Sequence, residues 1–123
     1  MWTEDLGRLA GFYEAYFGAR VGPVYRNPGK GFESRFLSFE SGARLELMRS
    51  STLSPVAAPA GAQRMGLTHL ALDVGSDSDV DRLTARLRVD GFEVLDGPRR
   101  TGDGYYESVV LDPDGNRLEI TAG

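Results

Sequence analysis

A chain of 123 residues can bury one hydrophobic core without disulfides or a metal staple, and its length calls for no second domain. The formal charge of −4 offers no basic footprint for nucleic acid or an anionic membrane surface, and no apolar run approaches the roughly 18 residues of a membrane span. Having no cysteine, the chain has no disulfide, thiolate ligand or cysteine nucleophile, and the acidic, amphipathic start "MWTEDLGRLA" is not a secretory leader, so the cytoplasm is the expected compartment.

In chain order, Thr3 is the expected cap of a helix over "EDLGRLAGFYEAYFG", with Leu6, Leu9, Ala10, Phe12, Tyr13, Tyr16 and Phe17 at helical spacing and Gly18 as its stop. The aromatic residues of this set are expected in the core. Period-two runs then predict strands in "ARVGPVYRN", "FESRFLSFE" and "ARLELM", with a turn at Ser41-Gly42. Residues 50–65, "SSTLSPVAAPAGAQRM", have the Ser, Pro, Ala and Gly content of a linker or surface loop. Beyond it come a strand, "LTHLALDV", a helix, "SDSDVDRLTARLRVDG", with acids in its first turn to suit the helix dipole, and a strand, "FEVLDGPRRT". "YYESVVLD", the turn "PDGN" and "RLEITA" complete a terminal hairpin. The chemistry of "DPDGN" is that of a structural turn.

The two halves repeat. A shift of 73 lays Gly42 on Gly115, Arg44 on Arg117, Leu45 on Leu118, Glu46 on Glu119 and Leu37 on Val110. The boundaries that follow are a module at about 1–49, a linker at about 50–65 and a second module at about 66–123, all within one domain. On a strand, side chains alternate faces, so Glu46 and Glu119 point away from the leucines that flank them. His69, the only histidine, has the same parity against Leu70 and Leu72. Two carboxylates and an imidazole at matched strand positions suit a divalent cation such as Zn, Ni, Co, Mn or Fe. The other reading of each acid is a solvated strand face, paired with the arginine two residues earlier.

At these residues the chain resembles the vicinal oxygen chelate superfamily, which includes glyoxalase I, extradiol dioxygenases and the fosfomycin and bleomycin resistance proteins. "EDLGRLAGFYEAYFGARV" resembles its first helix, "THLALDV" the opening strand of its second half and, most specifically, "LDPDGNRLEIT" its terminal hairpin. The resemblance implies an α+β fold of two βαβββ modules forming a half-open mixed β-sheet barrel. It implies Glu46, His69 and Glu119 as metal ligands. Laying Asp73 on Trp2 puts the counterpart of His69 upstream of Met1, so the first strand is expected to be cut short in this chain.

By the same resemblance the expected activity is that of a glyoxalase I-like, metal-dependent lyase or isomerase acting on the thiol adduct of a 2-oxoaldehyde, with Glu119 as the base and a homodimer as the assembly. The alternatives are a ligand-sequestering protein of the bleomycin-resistance type, which does no chemistry, and an Fe(II) dioxygenase, which needs a second histidine. The glycine-bounded loop "GDGYYES" makes Tyr105, Tyr106 and Glu107 candidates for lining a small-molecule pocket, and Arg99 with Arg100 a candidate grip for a substrate carboxylate. Phosphate-binding glycine loops and a GxSxG elbow are absent.

Overall fold

Apolar residues three and four apart make helix α1, Leu6–Phe17, bury Leu6, Leu9, Ala10, Phe12 and Tyr13 along one stripe. Its cap differs from the expected one. Asp5, not Thr3, is the N-cap and accepts the Arg8 N–H at 2.9 Å, while the buried Thr3 hydroxyl accepts the Asp5 N–H. A carboxylate one residue from the helix start reaches the free N–H groups; Thr3 is already committed to pairing with Met48. Phe12 and Tyr13 are core residues as expected, and Tyr16 and Phe17 stack on them half-buried.

This computed structural model describes residues 1–40, 42–54, 57–63 and 65–123, and it divides into two compact units, Met1–Ala57 and Ala58–Gly123. Ser41 of the expected first-half turn, and Pro55, Val56 and Arg64 of the expected linker, lie outside the described residues.

In the first unit, the run "ARVGPVYRN" is two short strands, β1 (Arg20–Val21) and β2 (Tyr25–Asn27), which pair with opposite ends of β3 (Phe32–Ser38). Gly22-Pro23 interrupts them because proline has no N–H for the ladder, and the Arg35 guanidinium binds the Gly22 carbonyl in the gap at 2.9 and 3.1 Å. β3 pairs antiparallel with β4 (Arg44–Ser50), which puts Glu46 opposite Phe36. On its other edge β4 forms a parallel bridge from Met48 to Trp2. Leu37 and Leu47 are fully buried on the face that α1 covers.

The second unit repeats the plan. A mixed four-stranded sheet runs β5 (His69–Asp73), β8 (Arg117–Ala122), β7 (Tyr106–Leu111), β6 (Val94–Arg100), with β5 parallel to β8 and the rest antiparallel. Its parallel pair Asp73↔Thr121 occupies the position that Trp2↔Met48 holds in the first unit, with Thr121 on Met48 by the repeat's shift of 73 and Asp73 on Trp2 as the sequence alignment lays them. Neither sheet closes into a barrel.

Helix α2, Asp77–Val89, begins at a capping box between Ser76 and Asp79 and carries the expected first-turn acids Asp77 and Asp79. It buries Val80, Thr84 and Leu87, and it packs on β6, β7 and β8, where Val110, Leu118 and Ile120 are fully enclosed. Each such aliphatic side chain contributes about 1.5–3 kcal/mol by leaving water. Two polar groups in this core satisfy one another: the Thr84 hydroxyl donates to the Val80 carbonyl and stands 2.6 Å from the Ser108 hydroxyl.

The turn between β7 and β8 is structural, as its sequence implies. Buried Asp112 accepts the N–H groups of Asp114 and Asn116 at 2.9 Å and the Asn116 side-chain amide at 2.8 Å. These bonds hold the register that sets Glu119 opposite Val109. Part of the expected linker belongs to this unit, since Gly61 donates to the Gly115 carbonyl and accepts from the Arg117 guanidinium at 2.7 Å. Among the described residues no helix is long and apolar enough to cross a membrane.

Candidate functional site

The second unit's sheet has one face under α2 and an open face on which polar side chains converge. Parallel pairing sets His69 beside Arg117 and Ala71 beside Glu119, so His69 and Glu119 are diagonal neighbours on adjacent strands. Their contact is direct: His69 Nε2 lies 3.1 Å from Glu119 Oε2, with both side chains half-buried. A diagonal on one sheet face brings long side chains within reach where a longer sequence separation hides the relation.

Glu107 joins them on this face. It pairs with Thr121 on one side and Arg99 on the other, with Glu119 two residues along β8. Burial raises the Glu107 pKa above the usual carboxylate range, and the neighbouring Glu119 charge raises it further, while Arg99 and His69 pull the other way. Arg99 itself is held by Asp96, with Nε at 2.8 Å and Nη2 at 2.6 Å from Oδ2.

A raised pKa in the folded chain means that the folded state holds this proton more tightly than the unfolded one. Its contribution to stability is fully present below the ordinary carboxylate pKa and is lost as pH rises through the raised value. In chelator-treated protein, Glu107→Gln is therefore expected to give a small rise in Tm at pH 7 to 8 that closes as pH falls below the carboxylate range. Thermal melts across pH check it, and a Tm difference that stays constant with pH would contradict it.

The tyrosines expected beside Glu107 stand elsewhere. Tyr106 has the opposite parity, on the helix side, where its hydroxyl donates to Asp81 of α2 at 2.8 Å and Arg100 lies over its ring. Its place was readable from alternation, since Tyr106 shares a face with Ser108 and Val110. Tyr105 is exposed and lines an open cleft of about 490 Å³ with Ser76, Asp77 and Arg100. Arg100 pairs there with Asp77 and with the Gly104 carbonyl.

Glu46 takes the equivalent position in the first unit, on the sheet face away from α1, beside Met48 and opposite Phe36. Its backbone carbonyl accepts the chain's terminal ammonium at 2.5 Å. The donor set fits a divalent cation in kind, as imidazole nitrogen and carboxylate oxygen. His69 and Glu119 also fit in spacing, because two ligands at about 2.1 Å from one ion stand roughly 3.0–3.4 Å apart. Among the described residues, no three His, Asp or Glu side chains cluster closely enough to hold a metal.

Comparison with known proteins agrees with this architecture. A glyoxylase/bleomycin resistance protein/dioxygenase domain from Frankia sp. EAN1pec matches with a TM-score of 0.80 at 20% identity, over 99% of this chain and 91% of that one. Glyoxalase I from Zea mays matches with a TM-score of 0.78 at 21% identity, over 99% of this chain but only 42% of that protein. At such identities the likeness shows the fold. In sequence, the uncharacterized protein YqjT of Bacillus subtilis (strain 168) is 39% identical over 62 residues, which is 48% of this chain and 48% of that protein. The chain thus matches about half the length of this relative. Repeated modules, the His69–Glu119 pair and a family model that matches residues 1–120 agree: the chain belongs to the Glyoxalase/Bleomycin resistance protein/Dioxygenase superfamily.

Proposed function

We propose that this protein is a metal-dependent lyase or isomerase of the glyoxalase I type, acting in the cytoplasm as a homodimer on the thiol adduct of a 2-oxoaldehyde. The observation that carries the reading is the His69–Glu119 contact on the open sheet face, a carboxylate base held by an imidazole beside a second acid, Glu107. His69 and Glu119 would hold the metal in the second unit, and Glu46 has the matching strand position in the first. What a divalent ion supplies when bound is Lewis acidity toward the two neighbouring substrate oxygens.

The chain's own part is proton transfer. Glu119 takes the proton from the carbon that bears sulfur and hydroxyl and returns it to the adjacent carbonyl carbon, while the hydroxyl proton passes to the former carbonyl oxygen, so that the adduct becomes a 2-hydroxy thioester with no net gain or loss of atoms. His69 would hold the metal through Nε2 beside Glu119, and Arg99 and Glu107 line the face beside the pair. Metal content by mass spectrometry, together with turnover of a methylglyoxal–glutathione adduct, tests the reading. A stoichiometric divalent metal and measurable turnover are expected, with His69→Ala losing most of both. A folded protein that takes up no divalent ion would sink it.

A second reading is the ligand-sequestering type of protein, which does no chemistry. It is favoured by the donor arrangement, a pair rather than a triad among the described residues. Tight binding of a ligand without turnover separates it from the first.

A further inference from the structure

An arginine stands two residues before each repeated acid, on the same strand and the same face: Arg44 before Glu46 and Arg117 before Glu119. A side chain that long reaches a carboxylate two places along its strand, and the guanidinium fork is shaped to take both carboxylate oxygens. Among the described residues neither pair forms. Arg44 lies over the Phe36 ring, 4.5 Å from its centre. Arg117 donates from Nη1 to the Gly61 carbonyl at 2.7 Å, while Glu119 faces His69. Two unlike devices at one repeat position have the same result, an acid left clear of the adjoining arginine.

In the second unit the carbonyl that holds the arginine belongs to a short strap. Residues 59–62 form a turn in which Ala62 donates to the Pro59 carbonyl at 3.1 Å, and Gly61 donates to the Gly115 carbonyl at 3.1 Å. The strap is seated closely. A Cβ added to Gly61 would stand 3.2 Å from Leu111 Cδ2, and one added to Gly115, in the hairpin turn, would stand 2.8 Å from Ala60 Cβ. We infer that this strap keeps Glu119 available to a divalent cation by holding Arg117 off it, so that Arg117 is a positioning residue and lifting the strap closes the site. A neutral carbonyl is the weaker of the two partners, because a guanidinium–carboxylate pair is charge-assisted on both sides. Once Gly61 moves away, the freed guanidinium takes the carboxylate oxygens that a cation and His69 would otherwise face. Strap, arginine, acid and imidazole all belong to the second unit.

This deepens the lyase reading and rests on it for what the carboxylate holds, while the contact itself has a metal-free reporter. His69 is the only histidine, so its ring signals in NMR spectra of chelator-treated protein show, at fixed pH, whether Glu119 stays beside it. Gly115→Asn is the strap-lifting variant: asparagine tolerates the turn's φ of +78° better than other side chains, and its Cβ displaces Ala60. The His69 signals are expected to shift in this variant and to return when Arg117→Gln is added. Zinc affinity, read by competition with a chromophoric chelator, is expected to fall about tenfold in Gly115→Asn and to recover to within about threefold of the parent in the double variant. A strap that only braces the hairpin gives no such recovery. Should Gly115→Asn fold poorly, Gly61→Ala loosens the strap from the other side, since its Cβ crowds Leu111 at a φ of +71°. Equal losses in the single and double variants, or no change in either readout, overturn the inference. His69 signals that shift and recover in a chain that takes up no zinc keep the strap and remove the metal; zinc uptake indifferent to both variants keeps the metal and removes the strap.

Discussion

Replacing Glu119 by Gln is expected to lower kcat by about a thousandfold, within the range that positioned general acid–base groups contribute, with little change in Tm. Glutamine keeps an oxygen to face His69 Nε2, which lies 3.1 Å from Glu119 Oε2, and has the same shape between fully buried Leu118 and Ile120. What it loses is the ability to carry a proton. The amide oxygen is still a donor to a metal, so metal content is expected to fall far less than kcat. Steady-state kinetics and metal analysis on one preparation check both parts. A variant with kcat within a few-fold of the parent would remove Glu119 as the base, while equal losses of metal and turnover would make it a ligand first.

Gly97→Ala is expected to be the most damaging small change to the fold, at about 3 kcal/mol from the sum of left-handed backbone strain and overpacking. Gly97 has φ +77°, and a Cβ there would stand 2.6 Å from the Glu107 carbonyl oxygen and 3.0 Å from Ser108 Cα. Both are backbone atoms of β7, which cannot yield as a side-chain tip can. The cause lies in β6, whose register slips between Val94 and Asp96 and again between Asp96 and Arg99, so that glycine fills a bulge pressed on its neighbour. This bulge delivers Arg99 opposite Glu107, and the open face should lose order along with stability. Urea denaturation measures the effect, with Gly102→Ala as the control, since its Cβ meets nothing within 4 Å. A midpoint for Gly97→Ala matching that of the control would show that the two strands separate without penalty.

Much of the second unit was legible because local signals agree there. Ser76 and Asp79 mark the start of α2, "DPDGN" marks the turn, and the alternation in "RLEITA" puts Glu119 opposite in direction to Leu118 and Ile120. In the first unit the signals conflict. Thr3 has a good capping side chain, yet its backbone pairs with β4, and only that pairing leaves the cap to Asp5. The run through Gly22-Pro23 alternates like one strand, but proline cannot extend the ladder and the strand divides.

By itself the sequence determined the modular plan: the element order, the 73-residue repeat and the parity that turns His69, Glu46 and Glu119 away from the leucines, all properties of neighbours along the chain. Tertiary structure alone decided which of these groups meet. The 3.1 Å contact of His69 with Glu119 depends on β5 lying parallel to β8 in one register, and the burial that raises the Glu107 pKa depends on what packs around it. Likewise, the parallel bridge from Trp2 to Met48 puts the tryptophan over Phe32. Alternation chooses a side chain's face, but a one-residue change in register reverses the face and replaces every cross-strand neighbour, and register is set by pairings between distant segments.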